Sequence, residues 1–187
     1  MSKLDEVNER IRILGSAQKL KDILMPDSRK WYQFCSSLDV IEDTNEAIEY
    51  YSNFDWPKLV GGQYLSVYGL LQCIFVQQDA VINLAESLGC KDITKKDFTH
   101  ERKTRNVAVG HPTKFNDKGE IWYTFVNRNM LAKDNIYLTQ ESRNGSKWQI
   151  IITDKVIEGH LLKIESILIY IEKFILETLK IQPPYGE

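Results

Sequence analysis

Arg105, Asn106 and His111 are the residues whose types and spacing suit chemistry on a phosphate. A guanidinium holds phosphate oxygens through a fork of N–H donors. An imidazole takes or gives a proton near neutral pH. The three lie in Phe98-Thr-His-Glu-Arg-Lys-Thr-Arg-Asn-Val-Ala-Val-Gly-His-Pro112, which reads as the last turns of a helix. Thr94-x-x-Asp97 is a capping-box-like start for it, and Gly110 and Pro112 mark the stop. Proline biases the residue before it away from helical geometry, so His111 is expected on the loop just past the helix.

Arginine, a polar residue that is often asparagine, then histidine four to six residues after the arginine is a pattern that resembles the HEPN superfamily (higher eukaryotes and prokaryotes nucleotide-binding). Here the pattern is Arg105, Asn106 and His111. The resemblance implies a helical core with the motif on its penultimate long helix. It also implies a metal-independent endoribonuclease, active as a homodimer, of the toxin–antitoxin or antiviral type. In that chemistry the ribose 2′-hydroxyl attacks the neighbouring phosphate and leaves a 2′,3′-cyclic phosphate and a 5′-hydroxyl. His111 is then the general base or acid, Arg105 stabilises charge on the phosphorane-like transition state, and Asn106 orients His111 or the phosphate. Other proteins of this type have lost catalysis, so a helical module binding a protein partner or a nucleotide is the alternative reading. A scaffold with no ligand is a third.

Substrate contacts fall to the basic residues around the motif. Between Lys91 and Arg105 stand six Lys and Arg against three Asp and Glu. Arg102 shares a helix face with Arg105, Lys103 lies between them, and Lys114 follows the motif. Residues 62–88 form the strongest helix candidate, apolar round most of its circumference through Leu65, Leu70, Leu71, Ile74 and Phe75. Gln72, Asp79, Asn83 and Glu86 fall on one side of it. Two readings of that stripe stay open: Asp79 or Gln78 faces the Arg105/His111 site, or the stripe is the solvent side.

The remaining elements supply the frame. Residues 2–24 are expected as one helix opened by Ser2-x-x-Asp5, with Gly15 loosening it midway. A turn at Met25–Ser28 leads to a second helix, with Asp27 or Ser28 as its cap, and a separate short helix runs from about Thr44 to Asn53. Residues 112–153 change character: Ile121–Val126, Ile136–Gln140 and Trp148–Thr153 read as strands, with Asn144-Gly145 as a hairpin signal. Trp122, Tyr123 and Trp148 either stack nucleobases or hold the sheet onto its neighbour. The last helix spans about 154–180, with an apolar stripe from Ile157 to Ile175 and a lone His160 near its start. The expected fold is thus mainly α: a single domain, an antiparallel bundle of four to five helices, with a small antiparallel β-meander inserted at about 118–153.

Composition narrows the partners. Net charge is −2 over 187 residues, so an RNA contact must be a local patch. Cys35, Cys73 and Cys90 are scattered and odd in number, which suits free thiols in a reducing cytoplasm. The N-terminus lacks the apolar core of a signal peptide, and no apolar run is read as long enough for a membrane span. No Walker loop, dinucleotide fingerprint, His-Glu-x-x-His or Gly-x-Ser-x-Gly occurs, and no cofactor or metal is expected. The partners are RNA, a second subunit and an antitoxin or regulatory protein. Dimerisation is also expected because helix 62–88 and the last helix offer more apolar surface than one small bundle buries.

Overall fold

The computed structural model describes residues 2–110 and 113–181. They form six α-helices and a four-stranded antiparallel sheet: α1 Lys3–Gly15, α2 Gln18–Leu24, α3 Ser28–Asn53, α4 Val60–Ser87, α5 Thr99–Arg105, β1 Phe115–Asp117, β2 Glu120–Val126, β3 Asn135–Ser142, β4 Gly145–Ile152 and α6 Thr153–Lys173. The protein is mainly helical with a small meander before the last long helix. The helix count exceeds the four or five expected, for local reasons at each difference.

Ser2 and Asp5 close a reciprocal capping box, and Asn45 donates to the same carboxylate at 2.8 Å. The expected helix 2–24 is broken in two. Gly15 ends α1, and the Ser16 hydroxyl donates to the Ile13 carbonyl at 2.7 Å, satisfying an end group that the helix leaves open. The two helices expected over 28–53 are instead one. Thr44, the polar β-branched residue expected to start a new element, donates its hydroxyl to the Val40 and Ile41 carbonyls and stays within the helix. Asp27 caps α3, its carboxylate accepting from the Arg29 backbone N–H at 3.1 Å.

The chain divides into two compact units; three of the four divisions fall inside α3, α4 and α6, and the fourth lies between Phe98 and Thr99, where α5 begins. The first comprises Met1–Glu46, Val76–Phe98 and His160–Glu187. Its core joins Ile11 of α1, Leu20 of α2, Leu38 of α3, Leu84 of α4 and Ile164 and Leu168 of α6, all fully or almost fully buried. The Asn8 amide donates to the Leu38 carbonyl at 3.1 Å, and Arg10 pairs with Glu172 through two bonds of 2.7 and 2.9 Å.

The second unit comprises Ala47–Phe75 and Thr99–Gly159 and contains the sheet, in the order β1-β2-β3-β4. One sheet face sends Leu138, Ile136 and Ile151 into a core with Val67 and Leu71 of α4. Strand β1 was not anticipated. It pairs with β2 through a two-residue turn, Lys118-Gly119, whose residues have φ of 54° and 88°. Two consecutive positive φ values are the I′ geometry that suits strand twist. The β3–β4 hairpin turns on Arg143-Asn144, one residue earlier than expected, with Gly145 already paired to Ser142. Tyr51 donates to the Lys133 carbonyl at 2.9 Å, and its burial pushes the phenol pKa up to about 12.

Helix α4 departs from its sequence reading in two ways. Leu65 is 75% exposed, although it was read with the buried stripe. By length and mean hydropathy, 1.3 over its most apolar 18 residues, α4 would also suffice to cross a bilayer; 44% of that window is buried within the protein. A core helix meets the same criterion. Cys35, Cys73 and Cys90 are free thiols, and burial raises the pKa of each.

Gly15 has a packing reason beyond helix termination. A Cβ there would lie 2.6 Å from Cε1 of Phe34, whose ring is itself buried. We predict that Gly15→Ala destabilises the fold by about 1–3 kcal/mol, the usual cost of overpacking a filled core. Urea unfolding measures it, and an unchanged midpoint would refute the packing role.

Candidate functional site

The motif is positioned by burial of the residues that follow it. After α5, the backbone from Asn106 to Gly110 widens into a π-helical turn. Val107 and Ala108 in that turn are buried in the second unit's core, against Val67, Leu71 and the sheet. Insertions of this kind are frequent at functional sites. Upstream, the Thr94 backbone N–H donates to the Asp97 carboxylate at 2.7 Å, as the capping-box reading expected. The segment it opens begins as a 3-10 turn over Lys95–Phe98.

Arg105 is half-buried, and its Nη1 donates to Oδ1 of Asn106 at 3.1 Å. Its Nη2 donates to Oε1 of Gln72, on α4, at 2.8 Å. The guanidinium carbons of Arg105 and Arg102 each lie 4.5 Å from the Phe75 ring centroid. An aromatic face attracts a cation through its quadrupole and leaves the charge in place. No carboxylate among the described residues pairs with Arg105. Its Nε is buried with no acceptor among the described residues. The guanidinium is thus oriented by two neutral amides and a ring, and no carboxylate among the described residues pairs with it to cancel its charge. Such a group can hold an oxyanion.

The other candidates are distributed as follows. Asn106 and Arg102 are assembled with Arg105, while Lys103 on α5 and Lys114 before β1 are solvent-exposed in the same unit. His111 lies outside the described residues, as does Pro112. Gln78 and Asp79 belong to the first unit. Along the polar stripe of α4, Asn83 and Glu86 are exposed, as the solvent reading held, whereas Gln72 meets Arg105. Gln72 was read as a member of the stripe but not as the partner. Its spacing of three from Phe75, which places both on one helix face, is the signal that could have found it.

Of the other histidines, His100 is exposed on α5. His160 is buried, with Nε2 2.8 Å from Oε1 of Gln77. The Gln77 amide nitrogen donates to the Ile41 carbonyl at 3.0 Å. The Gln77 oxygen is therefore the acceptor, and His160 carries its proton on Nε2. This histidine is buried and bonded within the core of the first unit. Among the described residues no three His, Cys, Asp or Glu side chains are grouped to hold a metal ion. Comparison of the chain with known protein families, with curated proteins and with solved structures gave no match.

Gln78 is fully buried, and neither its amide oxygen nor its nitrogen has a hydrogen-bond partner among the described residues. A buried unpaired amide costs about 1–3 kcal/mol of desolvation. Gln78→Met keeps the length and removes both polar atoms, so it is expected to stabilise the protein by about that amount. Chemical denaturation tests this; a lower midpoint would mean that the amide is satisfied.

Proposed function

We propose that this chain is a metal-independent endoribonuclease, a helical bundle of HEPN type carrying its sheet as an insertion. The observation that carries the reading is the state of Arg105: a half-buried guanidinium held by Gln72, Asn106 and Phe75 and neutralised by no carboxylate among the described residues. A charge kept in place without a counter-ion favours a phosphate, and favours it more as charge accumulates on the phosphoryl oxygens. Arg102, stacked on the same ring, adds positive potential.

In the proposed reaction the 2′-oxygen forms a bond to phosphorus as the bond from phosphorus to the 5′-oxygen breaks. The proton leaves the 2′-hydroxyl for a base, and the 5′-oxygen receives one from an acid. His111 serves in this proton transfer. Arg105 stabilises the phosphorane-like transition state, and Asn106 fixes the guanidinium through the bond it accepts. The nucleophile belongs to the substrate, so no metal is required to generate it. Exposed Lys103 and Lys114 guide the polyanion.

The reading is tested with single-stranded RNA and purified protein in EDTA. Wild type is expected to cleave. Arg105→Ala should lose on the order of 10²–10³ in rate, and His111→Ala on the order of 10²–10⁴. RNA with 2′-deoxyribose at the cleaved position should be inert, and added salt should weaken binding. Cleavage of the deoxy substrate, full dependence on Mg²⁺, or equal rates in all three proteins overturns the proposal. RNA or nucleotide binding that depends on Arg105 without any cleavage selects the non-catalytic module instead.

A further inference from the structure

The sheet's second face is apolar and bare. Alternation puts Trp122, Ile136, Leu138 and Ile151 on the inner face, which is buried, and the residues between them on the outer one. Outward from β2 stand Ile121, Tyr123 and Phe125, and outward from β4 stand Trp148, Ile150 and Ile152. All six are exposed, from 39% for Ile121 to 68% for Trp148. The strand register aligns them into one patch. Phe125 and Trp148 both flank Thr139 in a single row, and Ile150 lies beside Tyr137 in the next.

Charge decides what kind of partner fits. The strand positions of this face carry one carboxyl side chain, Glu141, and no Lys, Arg or His; Glu141 accepts a bond from the Ser146 hydroxyl. A polyanion needs cations among its stacking rings, and here it would meet a carboxylate. The patch therefore suits a protein surface. Its area suits a second copy in particular. Six large apolar side chains at these exposures present on the order of 600 Å². That is at or above the largest patch usual on a monomer. With its polar rim it approaches the roughly 800 Å² per partner of a standard stable interface. Pairing through the open edge of β4 would leave the face in water. Packing face on face removes it.

We propose that two copies of this chain pack the outer faces of their sheets together about a two-fold axis. The aromatic residues Tyr123, Phe125 and Trp148 of each copy interdigitate with the isoleucines of the other to form a β-sandwich core between subunits. This goes beyond the Arg105 reading and does not depend on it: the dimer can form whether or not RNA is cleaved. It also relocates the apolar surplus that the sequence suggested. In α4 and α6 most of the apolar stripe is buried, including Val67, Leu71, Ile164 and Leu168, and the larger surplus lies on the sheet.

The test is the mass of the full chain in solution, by light scattering and sedimentation from 1 to 100 μM. Wild type is expected to be a dimer of the 21.8 kDa chain. Trp148→Lys and Ile150→Lys change exposed positions, so the circular dichroism spectrum should be unchanged. Each should weaken the dimer at least about thirtyfold, as loss of a central interface residue does. Thr139→Cys, at the middle of the patch, should form a disulfide-linked dimer under oxidation that wild type does not form. A wild-type monomer at 100 μM, or a dimer unaffected by both lysine variants, overturns the proposal. So does a monomer whose binding of single-stranded RNA is lost in Trp148→Lys, which would make the face a stacking surface.

Discussion

Burial of Val107 and Ala108 is the constraint on which the candidate site depends. These two small apolar residues draw the chain after α5 against α4 and the inner face of the sheet. Arg105 and Asn106 precede them directly, so fixing the turn fixes where the guanidinium points. Gln72 and Phe75, one helical turn apart on α4, then meet it with an acceptor and a ring. Each contact alone is modest. Together they hold a cation at partial burial with its charge intact, which a structural salt bridge would not do.

The sheet connects the two halves of the functional reading. Its inner face contributes Ile136, Leu138 and Ile151 to the core that anchors the motif. Its outer face carries the exposed aromatic and isoleucine patch. Strand alternation alone produces this division, because successive residues must point to opposite sides. A change in register by one residue would exchange the faces and expose the core. The I′ turn at Lys118-Gly119 and the uninterrupted pairing of β3 with β4 set that register.

Much of this was legible where a single period runs over many residues. The apolar repeat of α6 and the length of α4 follow from spacing three and four, and the β3–β4 hairpin from Asn144-Gly145. What could not be read was local competition between backbone and side chain. Thr44 resembles a cap but bonds back into its own helix, and Ser16 resembles a helical residue but ends one. Asp117-Lys-Gly-Glu carries a turn signal, yet β1 is too short to show alternation. At the site, the type of residue was legible and the partner was not. Gln72 and Asp79 belong to the polar stripe of α4 and Gln78 adjoins it, and only tertiary packing selects Gln72 for Arg105. Nor does any change in composition mark the division into units, since three of its four boundaries fall within continuous helices.

The π turn at Asn106–Gly110 makes residue count itself a structural quantity. It amounts to one residue more than an α-helical path would use, and one residue corresponds to about 100° of helical rotation. Shortening this run by a residue would let it relax to ordinary helix. The face bearing Arg102 and Arg105 would then be turned away from Gln72 and Phe75 even though every side chain of the site remained. Substitutions in the run test packing; deletions test phase. Length variation should therefore be confined to places such as the connection between β2 and β3, and the interval from Arg105 to Gly110 should behave as a fixed gauge.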